Sequence, residues 1–247
     1  MFESDKEYYA DREYLTNSSM KMLRKSPALF NMWLKGKESI FSSTALDIGK
    51  AFHALVLEDR VDFVGFEGTR RGKEYLQFCE ENKDKIVLTQ KDAEMVHSMQ
   101  NALNKCPEAY DLMYNANDIQ QAEVAKTGEW DGIKIKGKAD LLVERNFDEY
   151  FLVDVKTTGG ELSEFKRSAP YMGYDQQAAF YCHLFGVERF IFVVITKSFP
   201  YDIGIYECSP SFLAKGRYKA SESISMYKNL FLNGNFNPYS AAEIGIL

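Results

Sequence analysis

The residues of this chain whose types and spacing could do chemistry lie within 138–157, KADLLVERNFDEYFLVDVKT. Two short apolar runs, ADLLV at 139–143 and FLVDV at 151–155, each carry an aspartate, Asp140 and Asp154, and Lys156 follows the second. The polar stretch 145–149 between them predicts two adjacent antiparallel strands. Side chains alternate faces along a strand, so Asp154 and Lys156 point one way while Val153 and Val155 point the other way, into a core. Asp140 and Asp154 can then approach each other. Unpaired charge on a buried strand is expensive, so an Asp and a Lys on one face need a reason. Two hard carboxylates beside a lysine fit a divalent metal site that acts on phosphate.

The surrounding elements must position these groups. From 120 the pattern is of strands: Ala122, Val124 and Lys126 alternate with Gln121, Glu123 and Ala125. Asp131-Gly132 marks a hairpin, and Ile133 and Ile135 then alternate with Lys134 and Lys136. Glu123 either faces the same site as Asp140 across the sheet or lies on the surface. A helix over 171–185 places Tyr174, Gln177 and Tyr181 on one face at i, i+3 and i+7. A buried strand at 190–195, a shorter partner at 203–207 and a helix opened by Ser209-Pro210 follow. The order is three strands, a helix, two strands and a helix, which predicts an α/β core with a mixed sheet over about 116–232.

Residues 1–115 read as mainly helical and supply one wall. Thr16-Asn17-Ser18-Ser19 offers N-caps to a short helix over Met20 to Arg24, Ser26-Pro27 opens a helix stopped by Gly36, Ser43-Thr44 caps one through Leu57, and Thr89 with Asp92 opens another. Ile48, Phe52 and Val56 recur on the second helix, with His53 beside them. By spacing alone His53 is either a core residue or a ligand. Short strands are expected over 61–66 and 86–88. Residues 16–37 hold five basic side chains and no acidic one, and Gly68-Thr69-Arg70-Arg71-Gly72-Lys73 is a glycine-flanked basic loop. Either could hold phosphate, or simply be solvated. Residues 233–247 show no pattern.

The chain has 247 residues, 45% of them hydrophobic, and a net charge of −6. That length and composition suit a single domain with a sizeable core. Its polar, acidic N-terminus lacks a signal-peptide core, and no apolar run is long enough to span a bilayer, so the expected location is the cytoplasm, with no membrane partner. The four cysteines are scattered and form no CxxC pair, which excludes a zinc ribbon or an iron–sulfur motif and leaves free thiols in a reducing compartment.

Asp140 followed by Asp154-Val155-Lys156 resembles the signature of the PD-(D/E)xK nuclease superfamily, with Ala139 in place of its proline. Ser26-Pro27 with its aromatic helix, the segment Gly49-Lys50-Ala51-Phe52-His53-Ala54-Leu55-Val56-Leu57-Glu58, and Gln177-Ala178-Ala179-Phe180-Tyr181 resemble the phage and prophage exonuclease VIII (RecE-like) group. The resemblance implies a restriction-endonuclease-like core with a central mixed β-sheet flanked by helices. It implies that His53, Asp140, Asp154 and the Val155 carbonyl hold Mg²⁺, for which Mn²⁺ can substitute. Lys156 would orient or activate the attacking water and stabilise the developing charge on the phosphate, with Gln177 and Tyr181 supporting the site, and Arg70 or Arg71 would receive a 5′-phosphate. The activity implied is Mg²⁺-dependent digestion of linear duplex DNA from 5′ to 3′, leaving 3′ single-stranded tails for phage-type recombination. A ring-shaped homotetramer, a single-strand annealing partner, and a phage- or prophage-encoded origin in a bacterial host go with that group. A metal-dependent endonuclease or structure-specific resolvase of the same fold is the alternative, and a non-catalytic DNA-binding protein is the alternative of another class.

Overall fold

The computed structural model describes residues 4–37, 44–146 and 148–238. The N-terminal region contains helices α1 (Asp5–Ala10), α2 (Asn17–Lys25), α3 (Pro27–Leu34) and α4 (Thr44–Leu57). Strand β1 (Phe63–Phe66), helix α5 (Gly72–Glu81), strand β2 (Ile86–Thr89), and helices α6 (Gln90–Lys105) and α7 (Pro107–Tyr114) follow. The main sheet is built from β3 (Ile119–Trp130), β4 (Ile133–Arg145), β5 (Glu149–Thr158), β6 (Arg189–Thr196) and β7 (Ile203–Glu207) in that order. Within this sheet β5 and β6 run parallel and the other neighbours antiparallel, and the chain crosses between β5 and β6 through α8 (Leu162–Ser168) and α9 (Tyr174–Phe185). Helix α10 (Pro210–Tyr227) ends in a π-helical turn, Lys228–Leu232.

The expected caps form where the sequence placed them. Thr16 and Ser19 make a reciprocal capping box on α2, Ser26 caps α3 ahead of Pro27, and Ser209 caps α10 ahead of Pro210. Ser43, expected to cap α4, lies outside the described residues, as do residues 239–247 of the patternless tail. The helix expected from 171 begins at Tyr174, because Gly173 takes a left-handed conformation that a continuing helix does not use. The N-terminal stretch, read only as polar, contains α1.

The sheet is covered on both faces. Ile48, Phe52 and Val56 of α4 pack with Val96, Met99 and Leu103 of α6 against Leu141, Val153, Val155 and Ile191. On the other face Phe30, Phe180, Leu184 and Ile224 pack on Ile133 and Ile135, and Ala178 and Leu213 on Leu152 and Phe192. This mixed sheet between helical layers is the expected α/β architecture. Among the described residues no helix is long and apolar enough to cross a membrane.

Lys136 departs from the expected outward alternation of β4. It is 1% exposed, and its ammonium donates to the carbonyls of Tyr8 and of Asp11, the latter at 3.0 Å. It also lies 4.7 Å from the Tyr8 ring centre. Alternation sets the side of the sheet but not what covers it, and here the segment ending in Leu15 lies over Lys136. Leu15 bridges to Ile135 to hold it there.

Helix α9 is seated against α10 by a close approach at Gly216. A Cβ there would fall on the Asp175 carbonyl and within 2.9 Å of the Ala179 Cβ. The expected outcome for Gly216→Ala is a loss of ~1–3 kcal/mol, the usual range for overpacking, read from urea unfolding. An unchanged midpoint would show that the two helices do not touch as described.

Candidate metal centre and active site

The Asp131-Gly132 turn fixes the site's register. Both residues have positive φ, 49° and 75°, as a two-residue hairpin turn requires. Ala122 then pairs with Leu141, and Val124 with Ala139, which sets Glu123 opposite Asp140. On the other side β4 pairs with β5 as far as Leu141 and Val153, and the next step would set Asp140 opposite Asp154. Three carboxylates therefore occupy one row across three strands. Neither ladder includes that row: the Glu123–Asp140 pair is missing from the first, and the second ends one residue short of it.

Like charges directly opposite each other are destabilising, and the backbone bends around them. Glu123 has φ of 53°, an uncommon conformation for a non-glycine residue inside a strand. Its carboxylate is ion-paired with Lys138 at 2.6 Å. Burial still raises the Glu123 pKa, with Asp140 adding to the rise and Lys138 opposing it.

Where β4 leaves β5, the main chain of Val155 loses its partner. Its N–H donates to Asp140 Oδ2 at 2.9 Å, and its carbonyl lies 2.7 Å from His53 Nε2. A carbonyl only accepts, so Nε2 carries the proton and Nδ1 is left with a lone pair. Nδ1 is 3.6 Å from Asp140 Oδ2. Candidate ligand atoms of His53, Glu123 and Asp140 all lie within 4.8 Å of one another.

Asp154 points toward α9. Gln177 Nε2 donates to Asp154 Oδ1 at 2.5 Å, and the Lys156 ammonium is ion-paired with Oδ2. Oδ2 is buried against the Lys156 ammonium. Burial pushes the Asp154 carboxyl up to about 6, opposed by Lys156 and helped by Asp140. Burial works against the Lys156 ammonium as well, but the charges of Asp154 and Asp140 outweigh it and its pKa ends raised. Tyr181 donates to the Lys138 carbonyl at 3.1 Å, and burial raises its phenol well above 10.

The structure thus gathers Asp140, Asp154, Lys156, Gln177, Tyr181, His53, the Val155 carbonyl and Glu123 at one place. Arg70 and Arg71 stand at the start of α5, with Arg71 at its N-cap. Sequence reasoning did not find Lys138. The signal was available, since Lys138 lies two residues before Asp140 and therefore on the same face of β4. A cleft of about 620 Å³ opens over His53, Glu123 and Asp140, walled on one side by Tyr8, Tyr9 and Arg12.

The donor set fits a hard divalent cation. The carboxylates of Glu123 and Asp140 supply oxygen and the His53 imidazole a nitrogen within 4.8 Å of one another, while the Val155 carbonyl faces the other ring nitrogen.

A PDDEXK-like domain of unknown function (DUF3799) matches residues 16–246 of the chain. Among solved structures, a candidate exonuclease from Eubacterium rectale is similar with a TM-score of 0.66 at 20% identity, over 96% of this chain and 89% of that one. A phage-related exonuclease from Haemophilus somnus 129PT gives 0.40 at 13% identity, over 90% of this chain and 96% of that one. No curated protein matches the chain. The first likeness speaks for the fold alone.

Raised carboxyl pKa values mean that the metal-free fold binds protons more tightly than the unfolded chain does. The stability this contributes is present below about pH 4, the unfolded carboxylate range, and is lost as pH rises through the folded value. For Asp154 that value is about 6. A cation takes the place of the proton. The thermal shift produced by Mg²⁺ or Mn²⁺ is therefore expected to grow between about pH 5 and about pH 7.5, and to shrink in Glu123→Gln and Asp140→Asn. No shift at any pH would overturn the metal centre.

Proposed function

Because the chain belongs to the PDDEXK-like DUF3799 family and carries that nuclease-like fold, we propose that it is a metal-dependent deoxyribonuclease. It acts as an exonuclease on ends of linear duplex DNA, degrading 5′ to 3′ and leaving 3′ tails for phage-type recombination. The whole chain acts as one nuclease domain. The single observation that carries the reading is the convergence of Asp140, Asp154, Lys156 and His53 on the gap between β4 and β5.

His53, Glu123 and Asp140 would hold the cation, with Mg²⁺ as the physiological ion, and the Val155 carbonyl would join them once freed from His53 Nε2. Asp154, one strand over, would join them. A divalent cation supplies the charge that makes water a nucleophile at neutral pH and neutralises phosphate oxygen. Lys156, whose pKa its carboxylate neighbours raise, would orient the attacking water and stabilise developing negative charge on the phosphate oxygens instead of removing a proton. Gln177 fixes the rotamer of Asp154, and Tyr181 fixes the Lys138 carbonyl beside the metal row.

Of the two arginines, Arg71 receives the 5′-phosphate. The Arg70 guanidinium is engaged by the Tyr75 hydroxyl and the Val87 carbonyl, both at 3.2 Å. Arg71 is exposed and sits at the N-cap of α5, where the helix's first N–H groups also favour an anion. A homotetrameric ring and a single-strand annealing partner complete the reading taken from the resemblance.

Linear duplex labelled at either 5′ or 3′ ends is expected to shorten from 5′ ends in Mg²⁺, while closed circles stay intact. Asp154→Ala and Lys156→Ala are each expected to lower the rate by at least ~10³-fold, in line with loss of a central electrostatic group. Cutting of closed circles would favour the endonuclease alternative, and activity surviving Asp154→Ala would sink the assignment. Removing the 5′-phosphate is expected to slow the wild type and to make no difference in Arg71→Ala. The assignment of Arg71 fails if Arg71→Ala still distinguishes the two ends.

A further inference from the structure

A second groove, about 600 Å³ in volume, lies beside the metal cleft. Ser18 and Met22 of α2 line both and form the divide between them. Eleven residues line this second groove; four are cationic (Lys21, Arg24, Lys25 and Lys219) and none is a carboxylate. In a chain of net charge −6 that is a local reversal of sign. Asp175 pairs with Lys219 at 2.6 Å and Glu222 with Arg24 at 3.6 Å, while among the described residues no carboxylate pairs with the exposed Lys25.

The groove is connected to the chemistry through one aromatic ring. The Lys156 ammonium lies 5.6 Å from the centre of Tyr174, and the Lys21 ammonium lies 5.8 Å from it. Polar contacts continue the path along the groove floor. Arg24 donates to Gln176 Oε1 at 3.2 Å, and Gln176 in turn donates to Asn17, which lines the metal cleft. Burial, and then the nearby Lys156 charge, lower the Lys21 pKa. An anion in the groove would relieve that crowding. At the rim stands Tyr171, 90% exposed, with Met172 beside it at 53%. An aromatic ring presented to solvent beside a row of cations is the combination that holds unpaired nucleic acid: the cations follow the phosphates and the ring stacks on a base. Paired bases offer no free face for such stacking.

We propose that this groove binds a single DNA strand continuous with the strand in the metal cleft, with Lys21, Arg24, Lys25 and Lys219 along its phosphates and Tyr171 against a base. The proposal rests on the nuclease reading for the identity of the polymer.

The test is fluorescence anisotropy of a labelled single-stranded oligonucleotide, and of a blunt duplex, with the full chain in Ca²⁺ across a salt series. Tyr171→Ala is expected to weaken single-strand binding at least ~5-fold, the lower end of a stacking contact, and duplex binding by less. Lys25→Ala is expected to reduce the slope of log Kd against log salt by about 0.7, one single-strand phosphate contact. Both side chains are exposed, so a thermal melt matching the wild type confirms folding. Two outcomes overturn the groove: wild-type affinity and slope in both variants, or equal weakening of single strand and duplex by Tyr171→Ala. Polyglutamate competing as well as the oligonucleotide would assign the groove to an acidic protein partner and overturn it too. If the wild type cuts DNA in Mg²⁺ while the variants bind normally, only the groove fails. If the wild type binds through Tyr171 and Lys25 but never cuts, only the nuclease reading fails.

Discussion

The site depends on one unmade pairing. If β4 and β5 continued in register past Leu141 and Val153, the main chain of Val155 would be satisfied within the sheet and no gap would exist. Instead the Val155 N–H is taken by Asp140 and its carbonyl by His53. A buried main-chain group left without a partner costs ~1–3 kcal/mol, so these two side chains replace ladder bonds that the strand cannot do without. That substitution anchors α4 to the sheet at His53. It also fixes the tautomer of His53 and orients Asp140. The same contacts that let the strands separate preorganise the ligands.

Charge explains why the strands separate there. Glu123, Asp140 and Asp154 fall in one row by register, with Lys138 ion-paired to Glu123 and Lys156 to Asp154. An ion pair in a partly dry place recovers little beyond its desolvation, and the raised pKa values of Glu123 and Asp154 show that these pairs do not fully compensate burial. The left-handed backbone at Glu123 adds strain at the same spot. Stress confined to one row of an otherwise well-packed sheet is tolerable because the flanking apolar pairs, such as Val143 with Phe151, are fully buried. A divalent cation would relieve the row by adding positive charge.

Supporting layers hold this row from both sides. Helix α9 presents Gln177 and Tyr181 from one face, and the Gly216 contact sets its distance from α10. On the cleft side, buried Lys136 ties down the chain before Leu15, so Tyr8 and Tyr9 form a wall beside the metal centre. Residues 4–15 precede the stretch matched by the family model, so this wall is built by residues the family match does not include.

Local chemistry made much of this legible in the sequence. Period-two alternation placed Asp154 and Lys156 together on one face and Val153 and Val155 in the core, as found, because a strand's geometry leaves no other arrangement. The caps of α2, α3 and α10 and the order of elements were equally local. His53 was ambiguous by spacing and gained its role only through resemblance. The register set by Asp131-Gly132 contained Glu123's place opposite Asp140, yet whether that position faced a site or solvent depended on what covers the sheet. The same limit hid the burial of Lys136 by a segment more than a hundred residues away, and the commitment of Arg70 to Tyr75 and Val87 while Arg71 stays exposed. Sequence by itself determined which residues can share a face, since that follows from backbone periodicity. Only the tertiary structure decided where the ladder breaks and which distant side chains fill the break, since those depend on long-range packing and on charges that meet only when the chain is folded.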